Sequence, residues 1–225
     1  MPPPHILVIR RRYLGDIVLL GPVFRNLRLH WPHARLAVVV EPAYAPVLAL
    51  NPDVDETFVL PRHLVDWPGF LLKLRRAGFT HVFDFDNNDR TALLTRVTGA
   101  PFRTALWHER SRARWRSLYT SDVRDPPEIH EHHSIVDYYL TALQAAAVPI
   151  ATRAVRLVPR AQDLAFVERL VGGPKTGPAP RPRRLLVHPG SRSAFSPLAR
   201  GKLRPPLRPG TGRIRRTSLP RRRTE

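Results

Sequence analysis

The chain has no cysteine in its 225 residues. That excludes a disulfide framework and thiolate chemistry, and it fits a reducing compartment, so the expected location is cytoplasmic. No apolar run approaches the roughly 20 residues that a bilayer-spanning helix needs. The N-terminus, MPPPHILVIRRR, places its basic residues after a short apolar run, the reverse of a secretory signal. Two phosphate-binding fingerprints are also missing. No G-x-G-x-x-G follows the first strand-like run, and no G-x-x-x-x-G-K-[ST] occurs anywhere. Nicotinamide-dependent hydride transfer and P-loop phosphoryl transfer are therefore disfavoured. There is no internal repeat at solenoid periods.

Proline and positive charge are abundant instead. There are 25 prolines, and 37 Lys and Arg stand against 18 Asp and Glu, a formal net charge of +19. The charge is uneven: residues 193–225 hold ten basic residues and one acid, Glu225, while residues 1–192 hold 27 basic and 17 acidic. A moderately basic body suits phosphorylated or nucleotide-sugar ligands, or anionic lipid headgroups. The tail has no apolar periodicity and only Phe195 as an aromatic, so disorder is expected and sequence-specific nucleic-acid recognition is not. A non-enzymatic polyanion or nucleic-acid binder acting through this tail is the alternative reading.

From the N-terminus, short β-branched runs alternate with amphipathic stretches. Strands are expected at His5–Arg10, Ala34–Val40, Val54–Leu60, Thr80–Phe85 and Phe102–Leu106. Helices are expected at 15–30, with Pro22 kinking it or marking its first turns, and at 41–50, 66–77, 89–98 and 134–147. This alternation predicts an α/β fold with a parallel sheet covered on both faces. A strand-like AVRLV and a helix-like AQDLAFVERLV follow, then a Pro/Gly-rich linker, then a further strand, RLLVH, ending in PGSR.

Four stretches carry candidate chemistry. In RRRYLGDIVLLGP, Asp16 lies in the first turn of a helix at the carboxyl end of a strand, where open α/β sheets bind ligands. The free N–H groups and dipole of that turn favour its anion. Gly15 permits close backbone approach, and Arg10, Arg11 and Arg12 are placed to hold phosphates. By pattern alone, Asp16 is either a helix cap or a base toward a hydroxyl nucleophile. In FDFDNND, Asp84 and Asp86 share a strand face and either ligate a divalent cation or form a turn that caps the next helix, which carries Arg90. The run His130–His133 (HEHH) lacks H-x-x-x-H spacing and is better read as a loop before an N-capping Ser134 than as a metal site. In HPGSR, the turn at Gly190 and Ser191 offers N–H groups and a hydroxyl to a diphosphate.

In order along the chain, ILVIRRRYLGDIVLLGPVFRNLR, WPHARLAVVVEPAYAPVLALNPDVDETF, RTALLTRVTGAPFRTAL, HHSIVDYYLTAL and LLVHPGSR resemble the family 9 glycosyltransferases, the ADP-heptose:lipopolysaccharide heptosyltransferases. The resemblance covers residues 5–192. It implies a Rossmann-like N-terminal domain of a GT-B glycosyltransferase, an inverting enzyme that needs neither metal nor cofactor. Asp16 would be the general base, and Arg10, Arg11, Arg12, Gly15 and Arg90 would face the acceptor, lipopolysaccharide core at the inner membrane surface. Gly190 and Ser191 would face the nucleotide-sugar donor, ADP-heptose or a relative. The implied organisation is an acceptor-side domain over 1–160, a helix and linker over 161–183, the first strand and turn of a donor-side domain over 184–192, and a basic tail over 193–225. No specific nucleic-acid partner is implied, and the protein would be cytoplasmic or peripheral at the inner face of the membrane.

After Arg192 the chain departs from the family pattern, which continues with a lysine and W-P-x-x-x-F. Back-translated with plausible GC-rich codons and read one base later, LARGKLRPPL can give WPAENFARLC, close to that pattern. The expectation is a shift of reading frame within or just after Ser193–Pro197 that truncates the donor domain and impairs activity.

Overall fold

The alternation of runs becomes a doubly wound parallel sheet in a computed structural model that describes residues 2–107, 115–124 and 134–171. Strand β1 (His5–Ile9) is followed by helices α1 (Leu14–Leu19) and α2 (Gly21–His30), and β2 (Arg35–Val40) by a 3₁₀ turn and α3 (Ala45–Leu48). Strand β3 (Glu56–Val59) precedes α4 (Trp67–Arg76), and β4 (His81–Asp84) precedes α5 (Asp89–Thr98). Then come β5 (Phe102–Trp107), β6 (Ser121–Arg124), α6 (Ile135–Thr141) and α7 (Ala161–Val171). All of these lie in a unit of Met1–Gly173, one of two into which the chain divides. Among the described residues, no helix is long and apolar enough to cross a membrane.

The sheet order is β3-β2-β1-β4-β5-β6, and every pair is parallel. Chain direction across the sheet reverses between β1 and β4, which pair directly with Ile9 opposite Asp84. Such a reversal opens a crevice beyond the carboxyl ends of the two strands. The period of two along each strand divides the core. Ile6, Val8, Val38 and Val40 pack with α1, α2 and α6 on one face, and Leu7, Ile9, Ala37 and Val39 pack with residues of α4 and α5 on the other. Burial on both faces is why these strands read as continuous apolar runs.

Several expectations change in detail. The helix expected over 15–30 is two helices meeting at Leu20. Pro22 has no N–H to continue the first, and it sits instead in the opening turn of the second. As a result Ile17 and Leu20 are buried while Val18 and Leu19 are only partly covered. The helix expected over 134–147 is α-helical only through Thr141 and then tightens into a 3₁₀ helix, Ala142–Ala146. It stops at Ala147, whose φ of 52° is left-handed, a common helix ending. Along it Tyr139 and Leu143 are buried and Ile135 is exposed. In α4, Leu74 is buried but Leu72 faces solvent. AVRLV forms no strand, and β6, which the sequence pattern did not mark, adds an edge beside β5. The linker, the RLLVH strand, HEHH and the tail lie outside the described residues.

One buried amide fastens the chain after α6 to the body. Asn26 on α2 is 1% exposed; its Nδ2 donates to the carbonyls of Pro22 (2.8 Å) and Thr152 (2.8 Å), and its Oδ1 accepts from the N–H groups of Ala151 (2.7 Å) and Thr152 (3.1 Å). Removing it orphans polar backbone that the fold has taken out of water. Asn26→Ala should therefore lose about 2–3 kcal/mol of stability by urea denaturation. It should also speed proteolysis between Val148 and Arg160, whereas an unchanged midpoint and cleavage rate would show the tie to be dispensable.

Candidate active site

The crevice between β1 and β4 is spanned by one guanidinium. Arg10, the first residue after β1, places Nη2 3.1 Å from Asp16 Oδ1 and Nη1 3.5 Å from Asp86 Oδ1. Nη1 also donates to the Phe85 carbonyl at 2.7 Å. Asp16 therefore hangs from the β1 side, Asp86 from the β4 side, and Arg10 joins them. Burial works against the charge on Arg10, but Asp16 and Asp86 outweigh it and keep the guanidinium firmly protonated.

Asp16 is held at both oxygens. Oδ2 accepts from the Tyr13 N–H at 3.1 Å, the local bond expected of a carboxylate in a first helical turn. Oδ1 accepts from the hydroxyl of Tyr139 at 2.8 Å, a contact across 123 residues of chain. Partial burial favours the neutral acid, yet the Tyr13 amide, the Tyr139 hydroxyl and the Arg10 charge together hold its pKa below the usual carboxylate range. The side chain keeps 27% of its surface exposed. It is thus a helix-capping residue and also an ionised, reachable carboxylate. Tyr139 is almost completely buried, its ring edge-on to Phe85 and 5.6 Å from the Arg10 guanidinium, and burial beside this carboxylate raises its own pKa. The sequence pattern places Tyr139 only on an apolar helix face. Nothing local signals that its hydroxyl reaches Asp16.

The remaining arginines divide by environment. Arg11 is buried and committed internally: its N–H and Nε donate to Asp86 Oδ2 at 3.1 and 2.8 Å, and Nη1 lies 3.7 Å from Glu41. Arg12 is exposed, stacked near the Tyr13 ring, and Arg90 is exposed in the first turn of α5. Arg90 and Arg11 share a cavity of about 230 Å³ with Arg62, Glu41, Trp67 and Leu60, at the carboxyl ends of the strands; the three arginines outnumber the one acid, which already faces Arg11. Arg62, which follows β3 and Pro61, carried no motif to mark it. A Cβ at Gly15 would meet nothing within 4 Å, so the fold leaves that approach open without requiring glycine. A larger cavity, about 430 Å³, opens at the opposite end of the sheet beside His5, Arg35 and Lys73, where Glu56 already pairs with both cations.

The shared strand face expected for Asp84 and Asp86 is not formed, because β4 ends at Asp84 and Asp86 belongs to the following turn. Asp84 is fully buried; Oδ1 accepts from the N–H groups of Asp86 and Asn87 (3.0 Å each) and Oδ2 from the Tyr119 hydroxyl at 2.7 Å. Asn88 caps α5 through the N–H groups of Arg90 and Thr91, as the turn reading requires. Among the described residues, no cluster of three or more His, Asp or Glu is arranged for a metal ion. Gly190 and Ser191 lie outside the described residues.

With this geometry in place, comparison with known proteins is decisive for the fold. A glycosyl transferase family 9 structure from Veillonella parvula superposes with a TM-score of 0.63 at 20% identity, covering 76% of this chain and 49% of that one. The chain has the fold of family 9 glycosyltransferases. The ADP-heptose lps heptosyltransferase II of E. coli matches with a TM-score of 0.58 at 20% identity over 76% of this chain and 51% of its own. The E. coli heptosyltransferase WaaC solved with ADP-2-deoxy-2-fluoro heptose gives 0.56 at 14% over 67% and 51%. Among curated proteins, lipopolysaccharide heptosyltransferase 3 of Escherichia coli is 22% identical over 117 residues, 48% of this chain and 34% of that protein. No protein-family profile matches the chain. The chain thus spans about half the length of the family 9 structures and a third of the curated relative.

The buried Asp84 has a testable signature. Burial outweighs its three hydrogen bonds and pushes its pKa up to about 6. Its folded pKa lies above its unfolded one, so the protonated form favours folding. Stability contributed at acid pH is lost as pH rises from the ordinary aspartate range through about 6, by about 3 kcal/mol. Asp84→Asn should flatten the difference in urea-unfolding free energy between pH 4 and pH 7. An unaltered slope would locate that dependence elsewhere.

Proposed function

We propose that this chain is the acceptor-side domain of a GT-B sugar transferase of family 9, with Asp16 as general base. The observation that carries the reading is the state of Asp16: ionised by three donors, partly exposed, and placed at the crevice of a fold shared with heptosyltransferases. A carboxylate in that state accepts the proton of an acceptor hydroxyl as the oxygen attacks the anomeric carbon and the nucleoside diphosphate departs, inverting the configuration. ADP-heptose is the proposed donor and lipopolysaccharide core the proposed acceptor, on the printed names of the similar proteins.

Within this reading the arginines have separate tasks. Arg10 orients Asp16 and keeps it charged, and Arg11 fixes the Asp86 turn. Arg12, Arg62 and Arg90, exposed at the same edge, take the phosphates or carboxylates of the acceptor, and Gly15 leaves room for its sugar. Gly190 and Ser191 are the proposed donor-diphosphate residues. The site is assigned to the cytoplasmic side, where nucleotide sugars are made available.

Heptose transfer from ADP-heptose to a heptose-free core acceptor tests the reading. Asp16→Ala should lower the rate by about 10²–10⁴-fold, the usual contribution of a positioned base. Equal rates would remove Asp16 from the mechanism, and no turnover by the wild-type chain would remove transferase activity from it. Because the pKa of Asp16 is depressed, the wild-type rate should not decline with acidity until below the usual carboxylate range. Separately, the Arg62→Ala/Arg90→Ala double variant should weaken binding of phosphorylated core oligosaccharide, measured by calorimetry, on the order of tenfold or more.

A further inference from the structure

Most large apolar side chains at the surface of the domain are about half covered, but Leu64 and Val65 are 86% and 84% exposed. They are neighbours on a single 3₁₀ turn, Leu64–Asp66, that follows β3. The turn lies at the carboxyl ends of the strands, the end of the sheet that also carries Asp16 and the cavity lined by Arg11, Arg62 and Arg90. The turn is bracketed by Arg62 and Trp67, both of which line that cavity with Arg90. Neither Arg62 nor Arg90 has an ion-pair partner among the described residues, and the exposed carboxylate beside the tip is Asp66. Two adjacent, uncovered aliphatic side chains at the crest of a turn have no packing role in the domain. Adjacent rather than scattered, and rimmed by polar residues, they form a small apolar patch of the kind that interaction surfaces use.

We propose that the Leu64–Val65 turn is a membrane-docking wedge that enters the headgroup layer of an anionic bilayer, with Arg62 and Arg90 at its base meeting the anionic groups of that layer, the phosphates of a membrane-anchored acceptor included. Charge complementarity decides for a bilayer. Aliphatic tips buried at the acyl boundary combined with nearby arginines attracted to anionic headgroups are the two components of interfacial binding. A lipid surface also demands no shape complementarity from so small a crest. The inference deepens the preceding reading, because an acceptor anchored in that bilayer would present its sugar beside the cavity and Asp16. It does not depend on turnover for its test.

The absence of cysteine makes the test direct. Leu64→Cys carries a single thiol for an environment-sensitive fluorophore, and Leu72→Cys, 47% exposed at the opposite end of the sheet, is the control. Each labelled full-length chain is mixed with vesicles of phosphatidylcholine alone or with phosphatidylglycerol added. The expected result is a blue shift at position 64 with anionic vesicles, quenched by spin-labelled lipid, and no shift at position 72. In sedimentation, Leu64→Ser/Val65→Ser should lose the part of vesicle binding that survives high salt, leaving only the salt-sensitive attraction that the basic residues of 193–225 would supply. No shift at position 64, with or without vesicle binding, overturns the proposal. Equal shifts at both positions also overturn it, since they mean adsorption without a wedge. A double variant that keeps salt-resistant binding overturns it as well. Loss of heptose transfer with the shift intact would instead fault the catalytic reading alone.

Discussion

The Arg10 guanidinium is the interaction on which the crevice depends. Two strands adjacent in the sheet but far apart in the chain each end in a loop bearing a carboxylate. Without a cation between them, Asp16 and Asp86 would repel across a partly desolvated gap. Arg10 converts that repulsion into a three-member ion network and also satisfies the Phe85 carbonyl at the end of the neighbouring strand. The same contact fixes the spacing of the loops and the charge of Asp16. Lysine would supply the charge but not the planar fork that reaches three acceptors.

Asp86 is in turn set by Asp84. A buried carboxylate is a costly means of shaping a turn, and its raised pKa is the sign of that cost. What it provides is a rigid pair of backbone N–H groups at Asp86 and Asn87, with Tyr119 closing the remaining oxygen. The order of dependence runs from β6 and the 3₁₀ turn before it, Arg116–Leu118, through Tyr119 and Asp84, to Asp86, Arg10 and Asp16. An edge strand of modest sequence signal thus supports the centre of the crevice.

How much of this was legible in the sequence follows from where the information lies. Five of the six strands and helix Asp89–Thr98 were readable because strands buried on both faces and an Asn-capped helix have local signatures. Asp16 was readable as a candidate because its place after a strand and beside a glycine is local too. Strand β6 was not, since SDVR at a sheet edge has neither an apolar run nor alternation strong enough to mark it. The split at Leu20 was visible in Pro22 but not resolved between a kink and a new start. The true partner of Asp16 was invisible, because a hydroxyl on one apolar helix face and a carboxylate on another have no sequence relation until the chain folds. Arg10 and Arg11 looked like ligand-facing cations; their burial against Asp86 is a tertiary fact that a run of three arginines does not disclose.

The Tyr139 contact also bears on when the site comes into being. During synthesis, Asp16 and Arg10 emerge early, but the hydroxyl that completes the carboxylate's surroundings belongs to a helix 123 residues later. Such a long loop closes late, after the local pairings of the first strands. A nascent chain holding β1 through β5 would therefore carry the right residues in the right loops with Asp16 still missing its buried hydrogen-bond donor. Completion of the carboxylate's hydrogen bonds is thus coupled to docking of α6, and the Tyr139 contact marks closure of the domain rather than merely formation of the sheet.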